Sequence, residues 1–162
     1  MKPGWSLIAT ALLAGAAMAE DDHFKRTAQP ATSVVIRGYW RADNNCEAKE
    51  PPALLFDKPP EHGIVCFRRD EVTMSKVIVG DGLQHCLGSR IRGLKLIYQP
   101  RLGYSGPDEV RYTVVFPRMR RSVSVDLTVL PSQFQPKNDH TAPAEEPLQS
   151  PGPVPECAPL VS

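Results

Sequence analysis

The chain has 162 residues, of which 41% are hydrophobic and 17 are prolines, and its formal charge is +1. This length supplies about one ordinary domain. The composition excludes a collagen, a coiled coil, a polytopic membrane protein and a strongly basic nucleic-acid binder. We therefore expect no nucleic acid among the partners of this protein.

The first 19 residues have the three parts of a secretory signal peptide. Lys2 supplies the charged start, an apolar run from Trp5 to about Ala17 follows, and Ala17-Met18-Ala19 is the small-residue pattern of a cleavage site. The apolar run is shorter than the roughly 20 residues that cross a bilayer. The pattern predicts a bacterial protein of the periplasm or extracellular space, with no transmembrane segment after cleavage.

Charge and proline content divide the rest of the chain. Residues 20–131 carry 17 basic and 14 acidic side chains, whereas residues 132–162 carry one basic side chain, four acidic ones and seven prolines. The second composition cannot bury enough apolar surface to offset its ordering entropy. We predict a linker over residues 20–31, one folded domain over residues 32–131, and a disordered, Pro-rich acidic tail over residues 132–162.

Apolar and polar residues alternate through the predicted domain, as they do in half-buried β-strands. The clearest strands are Val110–Phe116 and Ser122–Leu130, which a basic turn should join into an antiparallel hairpin. Seven short strands with turn residues between them favour an all-β fold, an antiparallel β-sandwich. The other predicted strands are Ser33–Tyr39, Ala53–Phe56, Gly63–Arg68, Val72–Val79 and Leu94–Tyr98.

Two motifs resemble one family of modules. Tyr98 to Val114, Y-Q-P-R-L-G-Y-S-G-P-D-E-V-R-Y-T-V, is similar to the end of bacterial immunoglobulin-like, cadherin-like extracellular repeats, approximately Y-x-P-x-x-G-F/Y-x-G-x-D-x-F/V-x-Y-x-V. Pro60 to Val65 resembles their P-x-x-G-x-V strand opening, and the resemblance covers residues 59–130 in a single copy. It implies an immunoglobulin-like β-sandwich.

The second motif contains residues that suit a tight turn. Gly103 and Gly106 should supply backbone conformations that are costly for other residues. Asp108 should cap the turn with its own side chain. Related repeats sometimes bind calcium through acidic residues, but this sequence has no close cluster of oxygen ligands around Asp108. We predict no metal and no cofactor.

Four cysteines in an exported protein predict two disulfides, and three connectivities are open. Cys46 and Cys86 have polar, turn-like neighbours, Cys66 lies in an apolar strand, and Cys157 lies in the tail. These surroundings favour the pairs Cys46–Cys86 and Cys66–Cys157. The wide spacing of the cysteines does not match the closely paired ligands of a zinc site.

No residue pattern indicates catalysis. Ser105 lies in Gly103-Tyr104-Ser105-Gly106, which is not the G-x-S-x-G nucleophile elbow. The paired carboxylates are adjacent in sequence, so on a strand they would face opposite ways. We therefore predict that this protein is not an enzyme.

A basic stretch is the main functional signal. Residues 90–121 contain eight Lys or Arg and two acidic residues, a net charge of +6, and arginine binds carboxylates and phosphates in a bidentate fork. The arginines of the predicted hairpin turn would equally protect an edge from aggregation. The candidate binding residues are Arg118, Arg120, Arg121, Arg101 and Tyr104, with Tyr39 and Trp40 as further aromatics.

These features predict a non-enzymatic binding or adhesion module of the bacterial envelope or extracellular space. Its partner would be an anionic glycan or an envelope protein, because the basic stretch would attract negative charge. The alternative is an accessory or inhibitor subunit of an exported enzyme, which would dock without catalysing a reaction. The fold cannot decide between them, since β-sandwiches carry many unrelated functions.

Overall fold

The structure, a computed structural model, describes residues 22–75, 82–132 and 149–158. The predicted signal peptide lies outside these residues. Among the described residues no helix is long and apolar enough to cross a membrane. The elements are β1 (Asp22–Ala28), β2 (Val34–Tyr39), β3 (Ala53–Lys58), β4 (Gly63–Thr73), a 3-10 helix (Gln84–Cys86), β5 (Arg90–Pro100), β6 (Gly106–Phe116), β7 (Met119–Val129) and β8 (Gly152–Pro153).

The strands form two sheets. The first has the order β1-β7-β6-β3-β8 and the second the order β2-β5-β4. β1 runs parallel to β7, and every other pair of neighbours is antiparallel. The all-β prediction is confirmed. The predicted hairpin also forms, because β6 and β7 pair from Gly106↔Val129 to Phe116↔Met119 around the turn Pro117-Arg118.

One hydrophobic core joins the two sheets. The alternating apolar residues of β6 and β7, such as Val110 and Val125, pack in the same cluster as Leu96 and Tyr98 of β5. Tyr39 of β2 and Tyr112 of β6 meet edge to face, with their hydroxyl oxygens 2.6 Å apart. Burial raises the pKa of both tyrosines. The period of two in the sequence therefore sets the buried face of each sheet.

A second, smaller core lies beside the 3-10 helix, at the end of the β4–β5 pair. Val72, Met74, Cys86 and Ile91 form it, and Trp40 packs against it. The Cys46–Cys86 disulfide ties the β2–β3 loop to the 3-10 helix at this point. This bridge and the Cys66–Cys157 bridge are the pairs predicted from the sequence.

The N-terminal segment differs from its prediction. Residues 22–28, within the predicted linker, form β1, which pairs with β7 over its whole length from Asp22↔Val123 to Ala28↔Val129. The strand has a single large apolar side chain, Phe24, so its sequence has no clear alternation. Its order comes from backbone hydrogen bonds and from packing against the other sheet, neither of which composition reveals.

The described part of the tail also differs from its prediction. Residues 149–158, predicted to be disordered, form an ordered segment that we call the strap. β8 pairs with β3, and Val154 is buried in the main core. The Gln149 side chain bonds to both backbone polar groups of Val65, at 2.7 and 2.8 Å. The Cys66–Cys157 disulfide fixes the strap to β4, so it covers the open side between the two sheets.

β4 is longer than either strand predicted in its place. Gly63–Arg68 and the first part of Val72–Val79 belong to one strand that pairs with β5 along all 11 residues. The charged residues between the two predicted strands are exposed, which suits the edge position of β4 in its sheet. Residues 76–79 of the second prediction lie outside the described residues.

Candidate functional site

Asp108 ties together the two motifs found in the sequence. Its buried carboxylate, 9% exposed, accepts hydrogen bonds from the backbone N–H groups of Glu61 and His62, both at 3.0 Å, and from the Tyr98 hydroxyl at 2.8 Å. The sequence predicted a cap on the local turn, but only the Glu109 N–H bond, at 2.9 Å, is local. Asp108 mainly secures the distant β3–β4 loop, because the fold brings that loop beside β6.

Tyr98 and Gly63 complete this contact. A Cβ atom on Gly63 would lie 2.3 Å from Tyr98 Cε2, so only glycine fits against the ring. Burial raises the pKa of Tyr98, and the bond and charge of Asp108 raise it further. The tyrosine, glycine and aspartate of the two motifs therefore form one structural unit, which we call the corner.

Arg101 and Tyr104 lie beside the corner, where both contact His62. The Tyr104 ring stacks on His62 with ring centres 4.0 Å apart, and its hydroxyl donates to the Pro107 carbonyl oxygen. Arg101 donates from its backbone N–H to the His62 carbonyl oxygen at 2.8 Å. Both glycines of the turn have positive φ, 82° at Gly103 and 134° at Gly106. The predicted conformations of these glycines are therefore present.

The predicted binding residues occupy two ends of the molecule. Arg101 and Tyr104 lie near Gly106, where β6 begins, whereas Arg118, Arg120 and Arg121 lie at the other end of the β6–β7 hairpin. An 11-residue strand spans roughly 35 Å. These five candidate residues therefore do not form one continuous surface, because the length of β6 separates the two groups.

A large groove lies at the hairpin end, and we call it the tip groove. It has a volume of about 1750 Å³ between the β6–β7 hairpin and the end of the β2-β5-β4 sheet. Phe116 and Met119 line it on the hairpin side, and Tyr39 and Trp40 line it on the other. The tip groove is therefore lined by Tyr39, the last residue of β2, and by Trp40, which follows it. Tyr104 lies beside the corner.

The three hairpin arginines do not lie on the same surface. Arg118 and Arg121 line the tip groove, whereas Arg120 does not. In β7 the buried side chains begin at Val123 and alternate with exposed ones. Arg121 is two residues from Val123 and shares its face, while Arg120 points away. The alternation along β7 therefore places Arg121, but not Arg120, toward the groove, and Arg118 reaches the groove from the turn.

Further cations enter the groove from segments far apart in sequence. Arg41 follows β2 and Arg90 begins β5; Arg41 donates to the Glu50 carbonyl oxygen at 2.9 Å, and Arg90 contacts Glu71 at 2.7 Å. Sequence reasoning did not single out Arg26, Arg37 or Arg41. Altogether the groove is lined by two carboxylates, Asp22 and Glu71, and by seven cationic side chains, Arg26, Arg37, Arg41, Arg90, Lys95, Arg118 and Arg121.

An ion pair lies on one side of the groove. Arg37 pairs with Asp22, and its guanidinium lies 4.8 Å from the centre of the Phe24 ring. The Arg26 guanidinium lies at the same distance from this ring, so two cations contact one aromatic side chain. Burial alone would lower the pKa of Arg37, but the hydrogen bond and charge of Asp22 outweigh it and raise the pKa. Arg37 therefore stays charged at the groove wall.

One cluster has the residue types of a metal site. The ligand atoms of Cys46, His85 and Cys86 lie within 4.8 Å of one another. The two sulfurs are joined in a disulfide, and zinc binds thiolates. In the oxidised protein this cluster therefore offers His85 alone as a ligand.

Comparison with family models finds no match, and no curated protein matches the chain. Among solved structures, the chain is similar to the "Solution Structure of Amebosin", with 9% sequence identity and a TM-score of 0.34. The alignment covers 67% of this chain and 97% of that one. This degree of likeness supports no inference about fold family or function.

Proposed function

We propose that this protein is an exported, non-enzymatic binding module that recognises an anionic partner through the tip groove. The observation that carries the proposal is the lining of the groove, seven cationic side chains against two carboxylates. Three of the seven form ion pairs, Arg37 with Asp22, Arg90 with Glu71 and Lys95 with Asp70. Within the described residues Arg118 is exposed and has no ion-pair partner. An arginine in that position is available to form a bidentate contact with a carboxylate or phosphate.

The size of the groove favours an extended ligand. Sites for small molecules have volumes of about 300–1000 Å³, and the tip groove has about 1750 Å³. Aromatic and arginine side chains lie side by side along it, a combination common at recognition surfaces. The partner is therefore a segment of an acidic glycan or an acidic surface of an envelope protein.

Topology supports an immunoglobulin-like arrangement. The sheets β2-β5-β4 and β7-β6-β3 correspond to the B-E-D and G-F-C strands of the immunoglobulin fold. The contact between the two family-like motifs at the corner is consistent with the same arrangement. Two disulfides favour an oxidising compartment, the periplasm or the extracellular space.

Replacing Arg118 and Arg121 with serine is expected to weaken binding to polygalacturonate or lipopolysaccharide by about tenfold or more, since each lost charge-assisted contact contributes about 1 kcal/mol. Binding should be measured by calorimetry at two salt concentrations, with neutral dextran as the control ligand. The salt dependence should also decrease, because fewer charges take part.

Arg120→Ser is the control for charge. It removes one positive charge, against two in the double variant, from the same hairpin on the face away from the groove, so its affinity should stay within about twofold. Equal losses of binding free energy per removed charge in the two variants would indicate non-specific attraction and would contradict the proposed site. Retention of a stoichiometric exported enzyme, with no binding to anionic glycans, would favour the accessory or inhibitor alternative.

A further inference from the structure

We propose that the Cys46–Cys86 pair, when reduced, binds a divalent metal such as Zn²⁺ together with His85. The geometry is already close to that of a metal site. His85 Nε2 lies 3.4 Å from Cys86 Sγ, and the three ligand atoms lie within 4.8 Å of one another. In a tetrahedral site with Zn–S near 2.3 Å and Zn–N near 2.1 Å, sulfur and nitrogen are about 3.6 Å apart. His85 therefore lies at the spacing of a ligand, and metal binding would replace the hydrogen bond between His85 Nε2 and the Asn44 carbonyl oxygen, 2.8 Å away.

The two sulfurs must separate for a metal to enter. A dithiol reductant transfers two electrons to the bridge, so the S–S bond breaks, the reductant becomes a cyclic disulfide, and two thiols remain. Zinc then replaces the two thiol protons, which are released to water. Two thiolates on zinc are about 3.8 Å apart, and the two Cα atoms, 5.5 Å apart, accommodate this by side-chain rotation.

A reductant can reach this bridge from one side. Cys46 is partly exposed, whereas Cys86 is fully buried. An external thiolate would attack Cys46 Sγ, and the electron pair of the broken bond would move to Cys86 Sγ beside the imidazole of His85. Within the described residues, the Cys66–Cys157 pair belongs to no comparable cluster.

The metal and the disulfide would hold the same two segments. The bridge joins the β2–β3 loop to the 3-10 helix beside the smaller core. Zinc bound by Cys46, Cys86 and His85 would join them in the same place, with water as a fourth ligand. The two states exclude each other, because one pair of sulfurs cannot form a disulfide and bind zinc as thiolates at once.

The test is zinc binding by the full chain before and after reduction with a phosphine. One zinc per chain is expected in the reduced protein and none in the oxidised protein. Cobalt substitution should give the absorption bands of a tetrahedral, thiolate-bound ion. Cys46→Ser/Cys86→Ser should abolish binding, whereas Cys66→Ser/Cys157→Ser should retain it. Equal zinc binding in the two double variants would overturn the proposal.

His85 provides a finer test. His85→Ala should lower the zinc affinity of the reduced chain by about tenfold or more, and His85→Cys should restore it by supplying a third sulfur. Unchanged affinity in His85→Ala would overturn the proposed ligand set. If the reduced chain unfolds, zinc should restore its β-sheet circular dichroism, since metal binding and folding are coupled. Failure to restore it would count against the site.

Discussion

Replacing Asp108 with alanine is expected to destabilise the protein by roughly 3–5 kcal/mol, because four donors would lose their acceptor. These donors are the Tyr98 hydroxyl and the backbone N–H groups of Glu61, His62 and Glu109. For a domain of this size the melting temperature should fall by roughly 10–20 °C. Thermal unfolding followed by circular dichroism measures the change.

Two further measurements separate the corner contact from a general charge effect. Asp126→Ala, on the exposed side of β7, removes only a surface ion pair with His23, so it should cost under about 1 kcal/mol. Hydrogen exchange at the Glu61 and His62 amides should accelerate in Asp108→Ala and stay unchanged in Asp126→Ala. Equal stability of the two variants would show that the corner does not depend on the carboxylate.

The sequence predicts the strands whose burial comes from their own alternation. Val110 to Phe116 and Ser122 to Leu130 each have one apolar face, and they form the β6–β7 hairpin with the expected partners. The surroundings of the cysteines also indicate the two observed bridges. These features are local, so a short window of sequence contains the information that fixes them.

The segments at the two ends of the domain depend on other parts of the chain. β1 has only Phe24 as a large apolar residue, and β7 supplies the backbone partners that order it. The strap contains three prolines that interrupt any alternation. Val154, three residues before Cys157, is the signal that could have indicated a buried segment there.

The residues that line the tip groove also come together only in the fold. Arg118 and Arg121 come from one hairpin, but Trp40, Arg41 and Arg90 reach the groove from the ends of two other strands. In the sequence, Arg101 and the hairpin arginines belong to one basic stretch. The charge count does not show that β6 separates them by its full length. The alternation of side chains along β7 separates Arg120 from Arg121, because Arg121 shares the face of Val123.

Above pH 10 the protein is expected to unfold cooperatively, because three buried tyrosines release their protons less readily in the folded state than in the unfolded chain. The pKa values of Tyr39, Tyr98 and Tyr112 are all raised above the ordinary value of 10, in each case chiefly by burial. Below pH 10 both states keep these protons, so stability is fully present. Above pH 10 only the unfolded chain releases them, and stability falls by up to about 4 kcal/mol per pH unit.

A domain with a stability of roughly 5–8 kcal/mol at neutral pH should therefore unfold between about pH 11 and 12. A stopped-flow pH jump that records tyrosinate absorbance and circular dichroism together should show both changes at the same rate. Tyr112→Phe should reduce the slope from three protons to two, and it should cost about 1–2 kcal/mol at neutral pH because Tyr39 loses its partner. The pKa of Tyr104 is also raised, chiefly by partial burial of its ring, so Tyr104→Phe should reduce the slope as well, but by less than Tyr112→Phe. Ionisation of all the tyrosines near pH 10 in a chain that stays folded would contradict the buried positions of these three hydroxyls.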